Sequence, residues 1–115
     1  MATNDIAKDQ WHPFFEAFTK AIQGRRQAGV EVVSLGFGDQ VLAANAPLQG
    51  MSYDPRSETF EVDMEGIDHR VAKPRSIFVE WQAGGVVGVE IVGDDDVRTI
   101  VKIREPLMLP QPQGA

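Results

Sequence analysis

One stripe of helical periodicity runs through this sequence, and it confines the chain to folds with a single helix. Trp11, Phe14, Phe15, Phe18 and Ile22 fall on one side of a 3.6-residue period. Asp9 or His12 is the expected start, with Pro13 in the first turn, where a missing N–H costs least. Gly24 is a natural stop, and Arg25 and Arg26 sit near the negative end of the helix dipole. From Val30 onward the period is two.

The cleanest alternation is Thr59 to Glu65, with Phe60, Val62 and Met64 on one face and four polar residues on the other. Val30–Leu35, Gln40–Ala44, Leu48–Tyr53, Ser76–Gln82, Val86–Val92 and Val97–Arg104 also read as strands, with Pro47 interrupting between two of them. Tyr53 to Ser57, Ala83-Gly84-Gly85 and Gly93 to Asp96 carry the residues of turns. Short turns join antiparallel neighbours. The expectation is an α+β domain: one N-terminal amphipathic helix packed on a twisted antiparallel meander sheet of about six strands. Residues 1–8 are expected to be a flexible N-terminus, 9–110 the single domain and 111–115 a flexible tail. Gly66 to Pro74 reads as irregular.

With 115 residues and 43% hydrophobic content there is material for one core and no more. The absence of cysteine excludes disulfides, thiolate catalysis and zinc–cysteine or iron–sulfur sites. A formal net charge of −6 opposes nucleic-acid binding. No apolar run approaches the length of a membrane span and the first ten residues lack a secretory signal, so the expected location is the cytoplasm, with no membrane partner.

No motif forces a chemistry. Asp68 and His69 are adjacent, with Tyr53 and Asp54 upstream, which are the groups of an acid–base site. Neighbours on a strand point to opposite faces, however, so Asp68 need not orient His69. The structural reading is that Asp68 and His69 satisfy backbone groups freed between two strands, with Pro74 stiffening the segment. Asp94, Asp95 and Asp96 lack the spacing of a calcium loop and read as a solvated hairpin tip. No metal ligand set and no cofactor site is expected. Gly36-Phe37-Gly38 lacks the third glycine and the following helix of a phosphate loop. His69, Arg70, Lys73 and Arg75 beside Phe78 and Trp81 could grip a single strand, but Trp81 fits the buried face and the chain is acidic overall.

Four stretches together resemble a bacterial family known as a domain of unknown function, number 5335. They are Trp11 with Phe14-Phe15; Pro47 to Pro55 (PLQGMSYDP); Gly66 to Pro74 (GIDHRVAKP) leading into Ile77 and Val79; and Arg104 to Pro110 (REPLMLP). The likeness spans most of residues 9–110. It implies no activity. It draws attention to Tyr53, Asp54, Asp68, His69 and Pro74, and with Arg70 these form the candidate ligand-binding set.

Two functional readings follow. The first is a non-enzymatic interaction or accessory protein, with an unknown protein partner or self-association through sheet edges. The second is a small-molecule binder or hydrolase-like protein with its site around Tyr53, Asp54, Asp68 and His69. Small size and missing catalytic motifs favour the first.

Overall fold

The computed structural model describes residues 2–22 and 26–109. In chain order the elements are β1 (Ala2–Asp5), α1 (Lys8–Ile22), β2 (Arg26–Ser34), β3 (Gly38–Asp54), β4 (Thr59–Met64), β5 (Ile67–Ala72), β6 (Ser76–Gln82), β7 (Gly85–Val92) and β8 (Arg98–Met108). The strands form one antiparallel sheet in the order β1-β6-β7-β8-β2-β3-β4-β5. One helix on an antiparallel sheet is the expected α+β class, but the sheet has eight strands rather than about six.

Two strands account for most of the difference. Residues 2–5, expected to fray, pair with Phe78 to Trp81 of β6; the segment is four residues long and shows no apolar alternation. Residues 67–72, expected to be irregular, pair with all of β4. Ile67, His69 and Val71 are its half-buried positions, and a histidine at the central one hides the period. Pro47 does not end a strand. It lies where the β2 ladder (Arg26 opposite Leu48) gives way to the β4 ladder (Leu48 opposite Met64), and its carbonyl accepts the Glu65 N–H at 3.0 Å. The last strand runs on to Met108, burying Leu107 and leaving Met108 exposed. The helix begins at Lys8, so Pro13 lies in its second turn. The missing N–H there falls on the solvent side, where water can serve the Asp9 carbonyl. Gly24 and residues 111–115 lie outside the described residues.

The apolar stripe of α1 is buried as its period dictates: Trp11, Phe14, Phe15, Phe18 and Ile22. Phe15 is edge-on to Phe60 of β4, and Phe14 to Trp81 of β6. The sheet must therefore bend around the helix. His69 of β5 shows how far: four flat interstrand spacings would hold it about 19 Å from β8, yet its Nε2 is 3.1 Å from the Thr99 hydroxyl of β8. The β4–β5 hairpin folds back over the inner face of β8, and the Arg75 N–H to Val92 carbonyl bond (2.7 Å) extends the β6–β7 ladder by one residue. Among the described residues no helix is long and apolar enough to cross a membrane.

Candidate functional site

The 17-residue strand β3 is longer than either of its partners, so each half has a strand on one side only. Its C-terminal half, Leu48 to Asp54, pairs with β4. On the opposite side β2 has ended, and α1 takes its place. The Thr19 hydroxyl donates to the Met51 carbonyl at 2.8 Å and accepts the Met51 N–H at 3.1 Å. His12 donates from Nδ1 to the Tyr53 carbonyl at 3.1 Å. Seven residues apart, these two side chains lie on one line of the helix and satisfy an edge that would otherwise be bare. The approach is close enough to require glycine at position 50, where a Cβ would stand 2.8 Å from Thr19 Cγ2.

The N-terminal half, Gly38 to Ala46, pairs with β2. On its other side β4 has ended at Met64, and among the described residues nothing pairs with it. Charge, one of the features that normally protect an edge, is sparse along it. Asp39 is the one charged residue in Gly38–Ala46. At its end the hairpin tip holds Leu35, 104% exposed, and Phe37, 82% exposed; Val41 on the strand is 65% exposed. Scattered apolar side chains on a surface are ordinary. Here three of the four exposed large hydrophobics found among the described residues share one hairpin.

The residues nominated from the sequence do not converge on one place. Tyr53 is buried, its ring edge-on to Trp11. Asp54 is exposed and caps the β3–β4 turn by accepting the Arg56 N–H at 2.9 Å, which holds its carboxyl below the ordinary value. His69 faces inward to Thr99, while Asp68 and Arg70 face solvent. Arg70 pairs with Glu61 at 3.2 Å. Pro74 is buried beside Lys73, whose φ of 46° is unfavourable for a residue preceding proline; the Lys73 N–H to Glu58 carbonyl bond, 2.7 Å, holds it there. Burial lowers the His69 pKa from its ordinary 6.5. Trp81 is buried and Arg75 is paired with Asp96, so the basic residues of this region do not form one patch with exposed aromatics.

Tyr53 and Asp54 do line a groove of about 440 Å³ between α1 and β3, together with His12, Glu16, Thr19 and Met51. Its polar helix residues were not legible as a site, because Thr19 and Glu16 look like ordinary flanks of an amphipathic helix. Much of their capacity is already used: Thr19 and His12 Nδ1 are committed to the strand edge. A second cluster lies on the outer face of the β4–β5 hairpin, where carboxylate oxygens of Glu61, Asp63 and Asp68 all lie within 4.8 Å of one another. Such oxygens suit a hard divalent cation. Partial burial, a hydrogen bond with Asp68 and the neighbouring acid charges push the Asp63 pKa up to about 6, and Arg70 already neutralises Glu61. The Arg70–Glu61 ion pair thus offsets part of the charge of the cluster.

The family model described as "Family of unknown function (DUF5335)" matches residues 2–112. An uncharacterized protein of Aquifex aeolicus (strain VF5) is 36% identical over 112 residues, covering 96% of this chain and 100% of that protein. No solved structure matches.

Proposed function

We propose a non-enzymatic role for this chain, which belongs to the DUF5335 family: it is an interaction protein that contacts its partner through the β2–β3 hairpin. The observation that carries this reading is the bare edge of Gly38–Ala46 ending in exposed Leu35 and Phe37. Unpaired N–H and C=O groups in a row are a template for an added strand, and adjacent apolar side chains supply the contact area that backbone bonds alone lack. The contrast within β3 supports it: the fold commits two helix side chains to sealing one free edge and leaves the other open.

A photo-crosslinking amino acid at position 41 tests this in the native host. Covalent adducts are expected there and not at position 72, an exposed site on β5. No adduct at position 41, or equal labelling at both positions, would refute the reading.

A second reading takes the groove between α1 and β3 as a small-molecule site, favoured by its volume and by Tyr53 and Asp54 in its wall. It is the weaker one, because the groups that would orient a ligand are largely engaged by backbone.

A further inference from the structure

We propose that the partner at the open β3 edge is a second copy of this chain, the two edges pairing antiparallel about a two-fold axis. This rests on the interaction reading above and names the occupant of that surface.

Three features favour a like partner. The first is charge. The molecule carries a net −6, so a second copy is repelled over most of its surface and can approach only where charge is sparse. The open segment is such a place, with Asp39 alone. The other sheet edges differ: β5 presents Asp68 and Arg70 to solvent, and β1 is four residues long and carries Asp5. The second is register. Opposite β2, Gly38 to Val41 form a regular ladder, and β3 then bulges twice, between Val41 and Ala43 and between Ala43 and Ala46. A two-fold axis at Gln40 sets Gln40 against its own counterpart and Asp39 against Val41 of the other copy, so that no like charges face each other.

The third is a knob and a recess on the same hairpin. Beside the open edge, a shallow recess of about 200 Å³ is lined by Gly29, Val41, Ala43, Ala44 and Ile100 together with Glu31 and Lys102, which pair with each other at 3.6 Å. Glycine is required at its floor, where a Cβ at position 29 would stand 2.9 Å from the Ala44 carbonyl oxygen. In the two-fold register, Phe37 of each copy extends past the paired residues toward residues 42–44 of the other, beside this recess. A two-fold interface uses each complementary pair twice. The bulges keep the ladder short, so the dimer is weak and sensitive to concentration, as interfaces of small area are.

Sedimentation velocity on the purified chain, from about 10 to about 500 µM, a range suited to small interfaces, tests the proposal. A monomer–dimer equilibrium is expected. Phe37→Glu with Val41→Glu should hold the chain monomeric throughout without changing its melting temperature, since both side chains are exposed. A monomer at every concentration, or a dimer that survives the double substitution, overturns the proposal. The two levels separate cleanly. A monomeric chain whose position-41 adduct contains a different protein removes the second copy and leaves the interaction reading standing. Absence of any adduct at position 41 removes both.

Discussion

Replacing His69 with alanine asks whether this residue belongs to the fold or to a site. The imidazole is half-buried on the inner face of β5, and its Nε2 shares a 3.1 Å hydrogen bond with the hydroxyl of Thr99, a residue only 1% exposed. A neutral hydrogen bond contributes about 0.5–1.5 kcal/mol net, but stranding a buried hydroxyl without its partner costs about 1–3 kcal/mol. Among the described residues His69 is the one side chain hydrogen-bonded to the Thr99 hydroxyl, so His69→Ala should destabilise by about 2 kcal/mol. In urea, with a slope of about 2 kcal/mol/M for a domain of this size, the midpoint should fall by about 1 M with little change in slope. Thr99→Val should cost less alone, because the half-exposed ring can turn to water, and the double variant should reveal coupling between the two. The pH dependence has a defined direction. Burial depresses the His69 pKa below 6.5, so the unfolded chain takes up the proton first. The stabilising contribution is whole above the unfolded value and is lost as pH falls through the folded one. The gap between wild type and His69→Ala should therefore narrow from pH 7 to pH 5. A loss under about 0.5 kcal/mol at pH 7, the level typical of an inert surface change, would refute the structural role.

Other perturbations follow from the same contacts. Phe18→Ala, at a fully buried position, should cost about 3–5 kcal/mol in a denaturant melt; a loss under about 1 kcal/mol would contradict its burial. Gly50→Ala should lower the melting temperature by pushing α1 from β3, and Thr19→Ser in the same chain should recover part of it by removing Cγ2 while keeping the hydroxyl; no recovery would place the strain elsewhere. Asp63→Asn should stabilise by about 0.5 kcal/mol at pH 8, a figure already discounted for the exposure of the carboxyl, and by nothing near pH 4. Here the folded pKa is raised to about 6, so the contribution of Asp63 is intact below its unfolded pKa and lost as pH rises through about 6. Chemical melts at the two pH values check this, and an equal effect at both would rule out the titration of Asp63 as its cause.

The helix stripe and the β4 alternation were legible because each places every apolar residue on the buried side. Segment 67–72 was not, because His69 occupies an inward position through one hydrogen bond to Thr99, thirty residues away, and no local pattern encodes that partner. β1 was hidden for a different reason: its contribution is a backbone ladder to β6, which is indifferent to side-chain type. Asp68 and His69 were correctly suspected of pointing apart, since alternation alone dictates it. Tyr53 and Asp54 do line a groove, but with His12 and Thr19 of the helix. The open edge of β3 escaped notice because it is a property of where β4 stops. The uncharged run from Gln40 to Tyr53 covers both halves of the strand and so does not mark which edge is open.

The central claim is that β3 has one edge sealed from within and one left open for a partner, and amide hydrogen exchange read residue by residue tests it directly. The Met51 amide should exchange slowly at every protein concentration, because Thr19 holds it. Between Gly38 and Val41, the amides facing β2 should also be slow. Those facing outward should exchange freely in dilute solution and become protected as concentration rises or as a partner is added. Outward amides already protected in the dilute chain would mean that the edge is closed from within, and outward amides free even in the associated state would mean that partners bind elsewhere; either result contradicts the account.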